Sequence, residues 1–261
     1  MNALLLPADR PAWPAPAAVS ALFTTRCGGV STGAWGDIRG SDGLNLGSHC
    51  GDESERILIN RQRLAGEVGC PIRWMQQVHG NRVVEVTACD EQDAPPIADA
   101  QFTTMPGLAL GVLVADCLPV LLTDRAGGIA AVAHAGWRGL AAGVLENLAA
   151  AMRAHRPDTE LMAWLGPCIG ASVFEVGNEV REAFASADTG ATVMFRAGLR
   201  PGKWWADLAG LATRRLERIG VVSISGSGAC TVTDRERYWS YRRDRVCGRM
   251  AGVIWLRPSS D

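Results

Sequence analysis

The sequence predicts an α+β fold: a single domain over residues 1–261, with mixed β-sheets flanked by helices behind an irregular lead at residues 1–19. Three observations carry that prediction. The runs "GLALGVLVADCLPVLL" and "GIAAVAHA" are almost continuously apolar, as strands are when both faces of their sheet are covered. Amphipathic helical stretches recur between strands without a strict strand–helix–strand rhythm, which disfavours a doubly wound parallel sheet. Neither an internal repeat nor a hydrophilic linker divides the 261 residues, and a 48% hydrophobic content suffices for a sizeable core.

Taken in order, "SALFTT" (20 to 25) reads as a first strand. It is followed by the glycine-rich loop "RCGGVSTGAWGDIRGSDGLNLG", too long and turn-rich to be filler. Residues 53 to 68 form a helix with Ile57, Leu58, Leu64, Ala65 and Val68 inward. "IRWMQQVHGNRVVEV" reads as two short strands meeting at "HGN". After the two apolar strands, "GLAAGVLENLAAAMRAH" spaces Leu140, Val144, Leu148 and Met152 as one helix. "ELMAWLG" is a strand running into a "PCIG" turn, and "VGNEVREAFA" is a helix. "ADLAGLATRRLERIG" turns Leu208, Leu211, Leu216 and Ile219 inward, with Asp207 near its start and Gly220 at its C-cap. Strands over "GACTVT" and "GRMAGVIWL" close the chain, separated by the polar "DRERYWSYRRDRVC".

Composition excludes some partners. Lysine and arginine total 26 against 27 acidic residues, so no net field draws nucleic acid or an anionic membrane. No apolar run is long enough to span a bilayer, and the leading "ALLL" stops at Pro7 without a basic flank, so a cytoplasmic protein is expected. The eight cysteines form no CxxC pair and are expected to be reduced thiols; a four-thiolate structural metal site has no support in their spacing.

"VLVADCLPVLLTDRAGGIAAVAHAGWRG", residues 112 to 139, places polar side chains inside apolar strands. If Arg125 to Gly128 form the loop of a hairpin, Asp124 pairs with Ile129 and Pro119 faces His134. Cys117 then lies diagonally across from His134, roughly 7–8 Å away along the backbone, within reach of one shared metal ion. A one-residue slip would put the two on opposite faces. His79 in "QQVHGNR" and His49 in "GSHC" compete as a third ligand, whereas His155 suits a helix C-terminus without further role. Two imidazoles and a thiolate with a vacant fourth position are the catalytic-zinc arrangement. The chain after His134 enters a helix through "AGWRG", so its first-turn N–H groups make an anion site, to which Arg138 and the arginines of "YRRD", Arg242 and Arg243, can add charge.

"TTRCGGVS", "LNLGSHCGDE", "QVHG", "ADA", "ADCLPVLL", "AHAGWRGL", "WLGPCIG", "FEVGNEV", "SYRRD" and "GRMAGVIWL" occur in the order seen in the laccase-domain family, formerly labelled polyphenol oxidase. The chain resembles that family over roughly residues 20 to 257. The resemblance implies His79, Cys117 and His134 as zinc ligands, choosing His79 over His49. It implies a zinc-dependent purine nucleoside phosphorylase acting on adenosine, inosine, guanosine and 5′-methylthioadenosine, with adenosine deaminase activity. It also implies an alternative, a peptidoglycan-editing hydrolase that removes a wrong amino acid from a UDP-muramyl precursor. Two departures stand out: "GAWGDIRGSDGLNLG" looks expanded, which bears on the substrate mouth, and Cys247 stands where threonine is usual.

On this reading Cys117, Asp116 and Arg138 carry catalysis, with Asp116 a general base or a partner of the ligands. Arg26, Asn45, Arg138 and Arg242 contact substrate and phosphate. The partners are a nucleoside and phosphate. Copper is the less favoured cofactor: a copper phenol oxidase of the laccase kind needs an additional imidazole-bound cluster, and only His49 and His155 would remain to build it. A binding module with a structural metal, closed by a fourth protein ligand, is the non-enzymatic alternative.

Overall fold

A computed structural model describes residues 6–88 and 94–258; Cys89 and the first residues of the "ALLL" run lie outside them. The chain runs β1 (Ala8–Asp9), β2 (Val19–Thr24), β3 (Cys27–Ser31), α1 (Ser54–Val68), β4 (Ile72–Arg73), β5 (Val83–Glu85), β6 (Ala100–Thr103), β7 (Ala109–Val114), β8 (Leu118–Asp124) and β9 (Ala130–Ala135). It continues through α2 (Trp137–Ala141), α3 (Val144–His155), β10 (Leu161–Leu165), β11 (Glu175–Gly177), α4 (Asn178–Ala185), β12 (Phe195–Ala197), β13 (Lys203–Ala206), α5 (Leu208–Arg218), β14 (Ser223–Gly226), α6 (Tyr241–Asp244) and β15 (Met250–Leu256).

The fold is α+β with mixed sheets. One sheet has the order β1-β2-β15-β7-β4, a second β14-β10-β8-β9-β6-β5, and a small third β11-β13-β12. The alternation of buried residues shows how they stack. Along β7, Leu110, Val112 and Val114 meet Leu121 and Val132 of the six-stranded sheet, while Ala109 and Leu113 face Leu64 and Val68 of α1. Along β8, Val120 and Leu122 face the helices, touching the cluster of Leu148, Met152, Leu211 and Leu216. The result is four layers, helix on sheet on sheet on helices, which is why the central strands are apolar on both faces.

The hairpin has the expected register: Pro119 lies opposite His134 and Thr123 opposite Ala130. Buried Asp124 closes it, its Oδ1 accepting from the N–H groups of Gly128 (2.6 Å) and Ile129 (3.0 Å). Asp207 caps α5 through Gly210 N–H. No helix among the described residues is long and apolar enough to cross a membrane.

Several local expectations are corrected. The stretch after His134 is two helices, because Gly143 adopts a left-handed conformation (φ 89°) that ends α2 and restarts the chain as α3. The two strands around "HGN" belong to different sheets, β4 pairing with β7 and β5 with β6, so "HGN" is no hairpin turn. "GACTVT" is no strand; the partner of β10 is β14, "SISG", whose small polar residues gave no apolar pattern. The lead at 1–19 contains β1, paired with β2. Leu58 is exposed, because the inward face of α1 is turned by buried Asn60, which ties the glycine-rich loop through Val30 N–H, Ser31 and the carbonyls of Gly43 and Asn45.

Candidate functional site

The open end of the β8–β9 hairpin faces a cleft of about 1120 Å³. Cys117 immediately precedes β8, and His134 sits near the end of β9, its ring buried. His79 arrives from the "HGN" segment in a left-handed conformation (φ 60°) that an L residue seldom adopts. One carboxylate holds both histidine-bearing segments. Asp99 accepts from the backbone N–H of Val78 (3.1 Å), His79 (2.9 Å) and Gly80 (2.7 Å), and its Oδ1 lies 2.8 Å from His134 Nδ1. Asp99 thereby fixes the His134 ring with Nε2 toward the cleft, as a carboxylate bonded to the far nitrogen of a histidine ligand does.

The ligand atoms of His79, Cys117 and His134 all lie within 4.8 Å of one another, so the three could hold a metal ion. Cys117 Sγ is 3.9 Å from His79 Nε2, and the two imidazoles stand edge to face with centroids 4.7 Å apart. The space between them is a cradle: a Cβ at Gly136 would come within 3.0 Å of Cys117 Sγ and 3.1 Å of His79 Cδ2. Burial alone would push the Cys117 thiol up, but the charge and hydrogen bonds of His134 and His79 outweigh it and bring the thiol down to about 6. Burial would lower His134, but Cys117 and Asp99 raise it to about 9. The site therefore favours a thiolate, the ligating form of cysteine.

Asp116 does not stand as a free base. Its Oδ1 accepts from Thr231 hydroxyl and its Oδ2 from Arg242 N–H, both at 2.6 Å, in a strained conformation (φ 91°) where the strand is interrupted. It anchors the "YRRD" segment at the cleft instead. Arg138 lines the cleft beside the metal ligands, stacked on Trp137 at 4.4 Å, but the helix it starts has five residues, so the expected dipole is short. Arg242 also lines the cleft, held by the Glu175 carbonyl (3.1 Å) and the Phe174 ring. Arg243 does not: it bonds the carbonyls of Thr231, Val232 and Tyr238 and pairs with Asp244.

Arg26 and Asn45 likewise fall outside the cleft lining. Arg26 donates to the carbonyls of Gly36, Asp37 and Arg235, and Asn45 Oδ1 accepts from Gly47 and Arg249 N–H. Both are occupied holding loops. Nor does the expanded segment 34 to 47 reach the cleft, whose lining begins at Ser48. His155 pairs with Glu85 at the end of α3. His49, the rival ligand, lines the cleft but is no member of the triad. Sequence reasoning missed Asp99, although an aspartate between the small apolar residues of "IADAQF" is itself a sign of a buried carboxylate with a task. It also missed Arg61 and Arg249, which line the cleft with no motif of their own.

Known proteins agree with this architecture. The chain is 45% identical to purine nucleoside phosphorylase PA4543 of Pseudomonas aeruginosa over 257 residues, 98% of this chain and all of that protein. It is 47% identical to purine nucleoside phosphorylase YfiH of Escherichia coli strain K12 over 249 residues, 94% of this chain and 97% of that one. Among solved structures, protein NMB0706 of Neisseria meningitidis matches with a TM-score of 0.89 at 45% identity, covering 96% of this chain and 99% of that one. YlmD from Geobacillus stearothermophilus matches with the same score at 28% identity, covering 98% of each chain. Residues 20–257 match the family model described as multi-copper polyphenol oxidoreductase laccase, and the chain belongs to that family.

Proposed function

We propose that the chain is a zinc-dependent purine nucleoside phosphorylase acting on adenosine, inosine, guanosine and 5′-methylthioadenosine, with adenosine deaminase activity at the same site. The observation that carries this reading is the three-ligand set, His79, Cys117 and His134, opening onto a cleft beside Arg138. The names of its relatives support the phosphorylase part. Cys117 Sγ lies 3.9 Å from His79 Nε2 and the three ligand atoms lie within 4.8 Å of one another, and a thiolate with two imidazoles is a donor set that would suit zinc. Zinc bound there would supply a Lewis acid with an open fourth position, polarising a substrate oxygen or, for deamination at purine C6, a water.

The remaining work falls to the chain. In phosphorolysis a phosphate oxygen bonds to ribose C1′, the C1′–N9 bond breaks, and its electron pair leaves on the base, which takes up a proton. Arg138 and Arg242 reach the cleft without an acidic partner among the described residues and can hold the phosphate by charge-assisted bonds. Ile169, Phe174 and Leu208 give the cleft an apolar wall for the base. Asp99 keeps His134 in the ligating tautomer. Oxidation of the multicopper kind is disfavoured by the histidines: of the two outside the triad, His155 is engaged by Glu85 and Phe102.

The test is release of free base from inosine by zinc-loaded protein, with and without phosphate. Phosphate-dependent release that disappears in Cys117→Ala, together with the bound metal, is expected. An inert zinc-loaded wild type would overturn the reading, and turnover of a serine-bearing UDP-muramyl precursor instead would replace it with the cell-wall reaction.

A further inference from the structure

The cleft has a second pole. His49, Arg61 and Arg249 line it from the loop before α1, from α1 itself and from the residue before β15. Because α1 covers the outer face of the five-stranded sheet while His134 belongs to β9 of the six-stranded sheet on its other face, the cleft passes the end of β7 at Leu113 and Val114 and joins these two places. Its volume, about 1120 Å³, is above the roughly 300–1,000 Å³ of sites for drug-sized ligands.

The second pole concentrates positive charge without neutralising it. Several arginines elsewhere are paired, Arg156 with Asp124, Arg215 with Glu146 and Arg243 with Asp244. Neither Arg61 nor Arg249 has a carboxylate within ion-pair distance among the described residues. Both are nevertheless built in place. Arg61 gives Nε and Nη2 to the Leu46 carbonyl (3.0 and 2.9 Å) and lies over the Trp74 ring, leaving Nη1 available. Arg249 gives Nη1 to the carbonyls of Cys247 and Gly248 and packs near Tyr241, leaving Nε and Nη2. The two are close enough to His49 that, after burial, their charges hold its imidazole below the ordinary range. Preorganised like charges with donors to spare are a site whose counter-charge comes with the ligand.

We propose that His49, Arg61 and Arg249 form a phosphoryl-binding subsite, so that the cleft takes a nucleoside 5′-phosphate, with its phosphoryl group at this pole and its base and ribose toward the metal, in preference to the bare nucleoside. The inference rests on the nucleoside reading above, but its test needs no turnover. Zinc-loaded full-length protein is titrated with inosine and with inosine 5′-monophosphate in phosphate-free buffer, and the ratio of the two Kd values is the readout. At least a tenfold preference for the monophosphate is expected, shrinking below about threefold in Arg61→Gln, in Arg249→Gln and in His49→Ala, and persisting in Arg125→Gln on the far surface. His49→Ala, at an exposed residue with no hydrogen bond to lose among the described residues, keeps the test valid if an arginine variant fails to fold. Equal affinities in the wild type, or a preference that survives all three variants, would overturn the proposal. Inorganic phosphate, titrated alone, separates the sources: if the three variants weaken its binding while the monophosphate gains nothing over inosine, the subsite serves the attacking phosphate and the proposal falls. A protein inactive in phosphorolysis that still shows the preference contradicts the catalytic reading, not this one.

Discussion

A buried aspartate stands at each end of the β8–β9 hairpin, Asp124 within it and Asp99 from the residue before β6, and the two ends do different work. At the closed end Asp124 accepts from Gly128 and Ile129 N–H, from Arg156 at 2.9 Å and from Thr159 at 3.3 Å. Every partner belongs to the fold. At the open end Asp99 takes three backbone N–H groups in the same manner, but its remaining partner is His134, whose other ring nitrogen faces the cleft with Cys117 and His79. The same device, a buried carboxylate satisfied by backbone donors and by side chains, fastens a turn at one end and aims a ligand at the other.

This comparison can be broken by exchanging one atom at each end. Asp99→Asn should weaken metal binding and activity about 10–100-fold. An amide nitrogen turned toward His134 Nδ1 forces the proton onto Nε2, the nitrogen that must ligate. Metal titration with a competing chelator measures it; unchanged affinity would show that Asp99 only holds backbone. Asp124→Asn, by contrast, should leave metal affinity alone and lower unfolding free energy by about 2–3 kcal/mol, the weight of hydrogen bonds to a buried charge. Denaturant unfolding of both variants decides whether the division of labour is real: a loss of metal in Asp124→Asn would merge the two ends into one cooperative unit.

A smaller effect marks a third aspartate, remote from the hairpin. Hydrogen bonding from Arg214, with further donors from Arg218 and Gly190 N–H, holds the Asp188 carboxyl well below the usual range. A carboxyl depressed in the folded state stabilises the protein above its unfolded pKa of about 3.9, and that contribution fades as pH falls toward the folded value. Arg214→Ala should therefore lower Tm slightly at pH 7, with the gap to wild type closing below about pH 4. A gap that stays constant with pH would assign the loss to packing on α5.

Much of this was legible in the chain. The length of the turn after Asp124 and the alternation of its flanks set the register that puts Pro119 opposite His134, because in a hairpin the turn and the buried face leave few alternatives. The helical spacing of Leu208, Leu211 and Leu216 likewise predicted the buried face of α5. Where local pattern failed, a distant partner decided. β14 is a strand because it pairs with β10, not because of its residues, and α2 ends at Gly143 although the apolar spacing runs on through Leu140 and Val144. Its place beside Cys117 makes Asp116 a candidate general base or partner of the ligands, yet its bonds run to Thr231 and Arg242, more than a hundred residues away.

The sequence by itself determined the fold class, the hairpin and the pairing of Cys117 with His134, all of which depend on periodicity and on short separations along the chain. It leaves His49 as a rival to His79 until family resemblance chooses. Only the tertiary structure showed why: Asp99 draws the N–H groups of Val78, His79 and Gly80 to the His134 ring, while His49 is left at the other pole with Arg61 and Arg249. Which groups share a site across separate sheets depends on how layers stack, and that information lies in no local window of the chain.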